Sequence, residues 1–321
     1  MASNSRTISL DLHTHSLEKK INPKKYWKVA EQKKLDAIAI TEHVEYNPRK
    51  GYHRVADVKP DNGIVLIPGM ELYTTLGHVI CLGKSESLYD DQRLWKKPLP
   101  IGEALDLAKE HDALLSIAHP WGFELDSAAF RMGPEFVRNL VKEGKIGVEA
   151  YNGMIGNVSD FLLKSNWVRK PVNFLQRLDR NRVARKLGVT KVTNKVWKKY
   201  DKKSFEMARR SMAPFLLGEG ARFVTAGSDA HYPERIGTGL LKLKVKEDFT
   251  LTNENALDCL LEKNVAWAGP ETVEQSPGVF VQRKPSIEFR REILGGLKYA
   301  TTSYGRERIK RALLRRKKKS A

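Results

Sequence analysis

Short apolar runs alternate with amphipathic segments along most of the chain, and the two patterns have different periods. Short apolar runs suit buried strands, whereas apolar residues spaced three and four apart suit helices. The predicted strands are 8–13, 36–41, 64–68, 78–82, 113–118, 147–150, 222–226 and 240–245. Strands that alternate with helices are typical of βα units. The pattern therefore predicts an α/β fold whose sheet is mainly parallel and either open or closed into a barrel.

The predicted helices lie between or after these strands. Asn22 and Pro23 begin the first helix, because asparagine is a favoured N-cap and proline is tolerated in the first turn. The predicted helices are 22–34, 101–111, 136–142 and 253–263.

The segment from about 154 to 217 interrupts this alternation. It has no strand-like run, and its basic residues recur at near-helical spacing among apolar ones. We predict an inserted basic helical element within one domain that spans 1–282. The remaining residues, 283–321, end in a run of arginine and lysine. We predict that they form a basic C-terminal extension, partly helical or disordered.

The basic charge of the protein is concentrated in these two segments. The 321 residues carry 57 Lys and Arg against 38 Asp and Glu, a net charge of +19. Residues 164–210 hold 16 basic and 3 acidic residues, and 283–321 hold 14 and 3, so the remaining chain is mildly acidic. A strongly basic field favours polyanionic partners: nucleic acid, an anionic membrane or phosphorylated metabolites.

Other features of the composition exclude several classes. The two cysteines, Cys81 and Cys259, lie far apart, which excludes a disulfide framework and suits a reducing cytosol. No apolar run reaches the length of about 18 residues that a membrane span needs. The N-terminus is polar and has no signal-peptide pattern. We predict no membrane span and a cytoplasmic location.

Histidines cluster at the ends of the predicted strands. His13 and His15 lie one residue apart at the end of the first strand and share one face of it. The other candidates at this edge are His43, Glu71, His78, His119, Asp229 and His231. Strand ends gather at one edge in α/β sheets, where sites are built. So many imidazoles and carboxylates at one edge predict a metal site. Their mixed nitrogen and oxygen donors suit Zn, Mn or Fe. His53 and His111 lie outside the pattern, and we predict that they are surface residues.

Six short motifs surround these candidate donors, in order over about residues 8 to 240. They are Asp11-Leu12-His13-Thr14-His15-Ser16, Ala39-Ile40-Thr41-Glu42-His43, Pro68-Gly69-Met70-Glu71, Gly77-His78-Val79, Ala118-His119-Pro120 and Gly227-Ser228-Asp229-Ala230-His231. In these motifs and in their order, the sequence resembles the PHP (polymerase and histidinol phosphatase) superfamily of metal-dependent phosphoesterases.

The resemblance implies a distorted (β/α)7 barrel of the PHP type, here with an inserted basic helical segment, and two or three divalent metal ions. One metal would be held by His13, His15, Glu71 and Asp229. Glu71 would bridge to a second metal, held also by His78 and His119, while His43 and His231 would serve a third. The implied catalytic residues are His13, His15, Glu71, His119, Asp229 and His231.

Four further residues are assigned from their motif positions. Glu149 and Asn152 match a family segment near the site and are expected to support the ligands or face substrate. Arg235 follows His231 closely, and we predict that it binds substrate phosphate. Family members often carry an acidic or histidine ligand shortly after the His-x-His pair, and Glu18 is the candidate for that position.

The implied function is hydrolysis of phosphoester bonds by a metal-bridged hydroxide. The two basic segments favour nucleic acid or nucleotides as substrate, with exonuclease-like action, because a polyphosphate backbone uses many basic contacts. Aromatic residues interleaved with these charges could stack on bases: Trp167, Phe174, Trp197 and Tyr200. One alternative is a small-molecule phosphatase of the histidinol-phosphatase kind, whose basic segments serve RNA or ribosome association. A second is a nucleic-acid-binding protein with a vestigial metal site.

Overall fold

A computed structural model describes residues 5–18, 21–122, 126–164, 166–186, 189–262, 264–276 and 279–282. The predicted C-terminal extension, 283–321, lies outside these residues, as do the side chains of Trp167 and Trp197.

Eleven strands occur in the described residues. They are β1 (Ser5–Thr14), β2 (Ala37–Ile40), β3 (Val65–Thr74), β4 (Gly77–Leu82), β5 (Leu114–Ile117), β6 (Gly147–Asn152), β7 (Val224–Gly227), β8 (Gly239–Lys246), β9 (Val265–Pro270), β10 (Thr272–Ser276) and β11 (Val279–Gln282). Ten α-helices occur in the same residues. They are α1 (Pro23–Gln32), α2 (Pro48–Ala56), α3 (Ile101–Glu110), α4 (Ala128–Met132), α5 (Pro134–Lys142), α6 (Gly153–Lys164), α7 (Asn166–Arg180), α8 (Arg182–Lys186), α9 (Val189–Leu217) and α10 (Asn253–Leu261).

Nine strands form one sheet, in the order β7-β6-β5-β4-β3-β2-β1-β8-β9. The chain that follows β7 returns to β1. The backbone N–H of His15 donates to the carbonyl of Ala230 at 3.0 Å, and the N–H of Asp229 donates to the carbonyl of His13 at 2.7 Å. The sheet is therefore a nearly closed barrel. This confirms the predicted α/β fold and is compatible with a PHP-type barrel.

Two apolar clusters stabilise the barrel, one on each face of its sheet. One contains Leu10, Ile67 and Leu241 from the strands together with Leu257 of α10. The other packs helices α1 to α5 against the sheet. Because most of the strand residues are buried on both faces, the strands appear in the sequence as continuous apolar runs.

The prediction of a mainly parallel sheet was wrong, since half of the pairings are antiparallel. Parallel pairs join β1 to β2, β2 to β3, β5 to β6 and β6 to β7, whereas β1–β8, β3–β4, β4–β5 and β8–β9 are antiparallel. Only Thr75 and Leu76 join β3 to β4. So short a connection makes a hairpin and cannot cross over the sheet.

The strand predicted to end at Pro68 continues to Thr74 as β3. Up to Pro68 it pairs in parallel with β2, and from Gly69 it pairs antiparallel with β4. A Cβ on Gly69 would lie 2.8 Å from the carbonyl oxygen of Cys81, so the absence of a side chain permits this close approach. The Pro-Gly step, which usually ends a strand, here marks an exchange of partners. Glu71 consequently lies within a strand and not after one.

Helices α6 to α9 lie between β6 and β7, where the sequence predicts the helical insertion. Sequence patterns missed α2, α4 and β9 to β11. The composition of α2, PRKGYHRVA, is too polar to show an apolar period. Its start is fixed by the Asn47 side chain, which accepts a hydrogen bond from the N–H of Lys50. In the part of the chain that the structure describes, no helix is long and apolar enough to cross a membrane.

The close approach of β7 to β1 predicts a sensitive glycine. A Cβ on Gly227 would lie 2.3 Å from the Cβ of His13 and 2.5 Å from its backbone nitrogen. Neither of these His13 atoms can move away without a shift of the backbone. We expect Gly227→Ala to lower the free energy of unfolding by about 1–3 kcal/mol, because overpacking forces the backbone to shift. Urea denaturation measures this change.

Gly102 provides the matched control. It lies in α3, and a Cβ there would meet no atom within 4 Å. Gly102→Ala should leave stability unchanged or raise it by up to about 1 kcal/mol, since alanine favours helix more than glycine does. Equal effects of the two substitutions would contradict the packing argument.

Candidate metal centre

The predicted donors converge at one edge of the barrel. His13 and His15 lie at the end of β1, and single donors or pairs follow β2, β5 and β7. His78 differs, because it is the second residue of β4. Since β4 runs antiparallel to both of its neighbours, its beginning lies at the edge where β5 ends. The structure thus brings all eight predicted donors together. His78 reaches this edge from the beginning of an antiparallel strand, whereas the sequence analysis placed the donors at the ends of strands.

Glu71 occupies the centre of the cluster and is 1% exposed. Its Oε1 lies 2.8 Å from Nδ1 of His78 and 3.0 Å from Nε2 of His119. Its Oε2 faces three further rings, at 2.9 Å from His43 Nδ1, 3.5 Å from His13 Nε2 and 3.6 Å from His15 Nε2. The two oxygens therefore face histidines on two sides of the site, as the oxygens of a carboxylate that held two metal ions would.

Asp229 is the second carboxylate of the cluster and lies beside His15. Its Oδ1 lies 3.3 Å from His15 Nε2, 3.5 Å from His231 Nδ1 and 3.6 Å from His13 Nε2. Asp229 has φ +53° and His119 has φ +27°, so both donors have left-handed backbone. Strained backbone of this kind is concentrated at functional sites, where surrounding structure maintains it.

Among the described residues, three sets of donor atoms each lie within 4.8 Å of one another. They are His13, His15 and Asp229; His43, Glu71 and His78; and His15, His43 and His231. The first set, with Glu71 beside it, has the composition that the PHP resemblance implies for one metal. The second set contains His43 where the resemblance implies His119, although Nε2 of His119 lies 3.0 Å from Oε1 of Glu71. In the third set His15 accompanies His43 and His231, an addition to the implied pair.

Glu18 contacts the third set. Its Oε2 lies 2.6 Å from Nε2 of His231. The residue therefore lies where the resemblance expects an acidic ligand after the His-x-His pair.

Buried polar atoms in the cluster fit a metal ion better than they fit one another. Oε2 of Glu71 and Nδ1 of His78 make close contacts with ring and carboxylate atoms but, among the residues that the structure describes, no hydrogen bond of acceptable geometry. Within the same residues Nδ1 of His119 also lacks one. Buried polar groups are normally hydrogen-bonded, so an unsatisfied cluster needs an explanation. Donor atoms arranged around a cation approach one another in this way, and imidazole and carboxylate donors suit divalent ions.

Electrostatics of the cluster favour bound positive charge. Burial alone lowers the pKa of His13, but the negative charges of Asp229, Glu149 and Glu71 outweigh burial and raise that pKa well above its usual value. Burial alone raises the pKa of Glu71, yet the rings of His43, His78 and His13 bring it well below its usual value. The carboxylates therefore stay ionised and attract cations, whether protons or metal ions, to the ring nitrogens.

Glu149 lies behind the donors and is fully buried. One of its oxygens lies 2.9 Å from Nδ1 of His13, and the other accepts the backbone N–H of His119 at 2.6 Å. Asn152 donates to Glu149 at 3.0 Å and to Asp229 at 3.2 Å. Of the two roles expected for these residues, the geometry favours support of the ligands over contact with substrate. Glu149 directs Nε2 of His13 toward the centre of the cluster.

Arg235 is buried in the short 3₁₀ turn Pro233–Arg235. Its backbone N–H donates to the carbonyl of Tyr232 at 3.0 Å. Its binding of substrate phosphate stays a prediction. His53 and His111, predicted to be surface residues, are both partly exposed, and they pair with Glu86 at 3.3 Å and with Asp91 at 2.8 Å.

Sequence reasoning missed the roles of two acidic residues. Glu42 accepts the backbone N–H of Ser16 at 2.8 Å, and its other oxygen lies 3.4 Å from Nδ1 of His15. Asp11 accepts the N–H of Ser228 at 2.8 Å and of Gly237 at 2.7 Å, which joins β1 to the chain on either side of His231. The signal for Asp11 was present, since it alternates with His13 and His15.

Comparison with known proteins gives structural neighbours only. No family model matches the chain, and no curated protein matches its sequence. A two-domain protein from Bacteroides vulgatus that contains a predicted PHP-like metal-dependent phosphoesterase is 19% identical. That match covers 81% of this chain and 64% of the other, so this chain spans less than two thirds of its length, with a TM-score of 0.48. PsfC from Pseudomonas syringae is 13% identical over 92% of this chain and 99% of its own, with a TM-score of 0.50.

These neighbours contribute little to the functional argument. The likeness to the Bacteroides protein is too low to carry one, and the likeness to PsfC shows a shared fold and nothing further. The resemblance to the PHP superfamily is instead supported by the barrel, by the three donor sets and by the contact of His119 with Glu71, which together place the six sequence motifs around one site.

The position of Glu149 predicts a loss of metal affinity. We expect Glu149→Gln to weaken Mn²⁺ binding about 10- to 100-fold, because the partner that orients a ligating histidine fixes its tautomer and basicity. Titration calorimetry against a competing chelator measures the change. Glu110→Gln is the control, since that half-exposed carboxylate pairs only with Arg93 among the contacts described. Equal Mn²⁺ affinities for the wild type and Glu149→Gln would contradict the assigned role.

Proposed function

We propose that this protein is a PHP-type metal-dependent phosphoesterase that hydrolyses phosphoester bonds in nucleic acid or nucleotides. The observation that carries the proposal is Glu71, a carboxylate whose two oxygens face imidazoles on two sides within a buried cluster. Six histidines and two carboxylates at one barrel edge exceed what packing requires, and burying them without a cation would be costly.

The residues of the chain suit two or three divalent ions, Mn, Zn or Fe. When bound, such ions supply Lewis acidity and a nucleophilic water, which phosphoryl transfer needs. Glu71 and Asp229 provide the negative charge that retains the ions. Glu149 fixes the ring of His13, and Glu42 holds the loop at Ser16 beside His15. We assign phosphate binding to Arg235, which follows His231 at the same edge.

The basic insertion supports nucleic acid as the substrate. The longest of its helices, α9, contains eight basic and two acidic residues. A small phosphomonoester needs one or two cationic contacts, whereas a phosphodiester backbone uses many. The histidinol-phosphatase alternative would leave this charge for association with RNA or the ribosome. A vestigial site is disfavoured, because such a site would be expected to lose histidines, whereas six histidines lie with Glu71 and Asp229 at one edge of the barrel. A cytoplasmic location stays a prediction from the sequence.

A cleavage assay tests the proposal. We expect the Mn²⁺-loaded protein to degrade end-labelled single-stranded RNA or DNA, and Asp229→Asn to reduce kcat/KM at least about 1,000-fold, a loss of about 4 kcal/mol of transition-state stabilisation. Asparagine tolerates the left-handed backbone of this position, so the substitution removes charge without adding strain. Asp258→Asn, in an exposed pair with Lys84, is the control.

The outcomes separate the candidate functions. Intact oligonucleotides combined with phosphate release from a metabolite would reassign the site to small-molecule phosphatase activity. Full activity of Asp229→Asn would overturn the proposed site. Oligonucleotide binding without hydrolysis of any phosphoester would favour the vestigial alternative.

Salt dependence gives a further prediction. We expect kcat/KM on a 20-nucleotide strand to fall linearly with salt on a log–log scale, with a slope of about 0.7 per phosphate contacted. Hydrolysis of bis(p-nitrophenyl) phosphate, which has no extended backbone, should show a slope below about 1. Stopped assays over a range of NaCl concentrations measure both. The same slope for both substrates would argue against polyanion binding.

A further inference from the structure

An exposed face of α9 carries basic residues in a single row. Lys195, Lys198, Lys202 and Arg209 are exposed, and so is Phe205, at 72%. At about 100° per residue these five positions fall within an arc of about 80° on the helix surface. We call this row the basic stripe. The acidic residues of α9, Asp201 and Glu206, flank the arc on its two sides.

One end of the basic stripe is docked beside the metal centre. The guanidinium of Arg209 lies over the ring of Trp121, 5.8 Å from its centroid, and that of Arg210 lies over Phe130 at 4.6 Å. Arg210 also approaches the carbonyl of Gly122 at 3.5 Å. Trp121 and Gly122 follow the donor His119 by two and three residues, so the stripe begins at the loop that carries this donor.

The other end of the stripe extends away from the barrel. β6 ends at the edge that carries the site, and β7 begins at the opposite edge because the two strands are parallel. The chain between α9 and β7 reaches that opposite edge, where Arg222 lies against Gly144, just before β6. α9 packs against β6, and at about 43 Å it is longer than a six-residue strand of about 20 Å. A helix that lies along β6 from the opposite edge places its N-terminal half, with the three lysines, beyond the site edge.

We propose that the basic stripe binds a single-stranded nucleic acid and directs it to the metal centre. The inference rests on the proposed function and names the surface through which the insertion contributes to it. Three lysines and an arginine at near-regular spacing complement the charge of a phosphate backbone. Phe205, a large apolar side chain exposed among them, offers a face on which a base stacks. Arg209, held over Trp121, presents a guanidinium of fixed orientation for phosphate contact.

Two triple variants test the proposal in the full-length chain. The first is Lys195→Gln with Lys198→Gln and Lys202→Gln. The control is Lys84→Gln with Arg93→Gln and Lys145→Gln. It removes the same charge from ion pairs at the opposite edge, where β4 ends and where β5 and β6 begin. Each triple is also combined with Asp229→Asn, so that binding of a fluorescein-labelled 15-nucleotide RNA is followed by anisotropy without cleavage.

We expect the stripe triple to weaken RNA binding at least about tenfold and to reduce the salt slope by about 2, from three lost contacts at about 0.7 each. The control should change affinity less than about threefold. In the active protein, the ratio of kcat/KM on the RNA to kcat/KM on bis(p-nitrophenyl) phosphate should fall in the stripe triple alone. Phe205→Ala should weaken binding with no change in salt slope, because stacking involves no counterion release.

Several results would overturn the proposed role of the basic stripe. If the two triple variants weakened RNA binding equally, only the net charge of the protein would matter. If the stripe triple lost kcat/KM equally on the RNA and on the ester and melted at a lower temperature, the lysines would have a structural role. Equal competition by duplex RNA or by poly-glutamate would reject a single strand as the occupant. If the wild type hydrolyses no phosphoester, the proposed function fails. The anisotropy data would still show whether the basic stripe binds single-stranded RNA.

Discussion

A carboxylate buried among five imidazole rings sets the condition that the rest of the barrel has to meet. Removing a charge from water is expensive unless opposite charge or hydrogen bonds compensate for it. Glu71 obtains that compensation from rings delivered by four different strands or the turns after them. The exchange of partners within β3 places Glu71 where the parallel and antiparallel parts of the sheet meet, so both parts contribute to its surroundings.

Much of the fold could be predicted because buried strands of a barrel are short apolar runs. The histidines could be predicted as a group because each follows or begins such a run. Strand direction could not be predicted in the same way. In this barrel the parallel and the antiparallel strands are both buried on two faces, so both show continuous apolar runs. The two-residue link at Thr75 and Leu76 marks only the β3–β4 pair as antiparallel. The length of β3 was missed because proline followed by glycine usually ends a strand.

Within the site, residue identity was easier to predict than residue role. The family resemblance named Glu149 and Asn152, but only distances show that they support His13, His119 and Asp229 from behind. The positive φ angles of His119 and Asp229 leave no mark in the sequence, since neither residue is glycine. Likewise the charge of the insertion was evident from composition. The helical row in which it is arranged, and its contact with Trp121, depend on the packing of α9.

The location of the insertion has an evolutionary consequence. β6 and β7 pair directly, with Val148 opposite Val224, so the sheet does not depend on the length or composition of the chain that joins them. Loop closure becomes only slowly more costly as such a connection grows. Selection can therefore lengthen the connection between β6 and β7, shorten it or change its charge while the eight donors keep their positions. The parts of the molecule that hold the reactive centre and the parts that surround it are free to diversify at different rates.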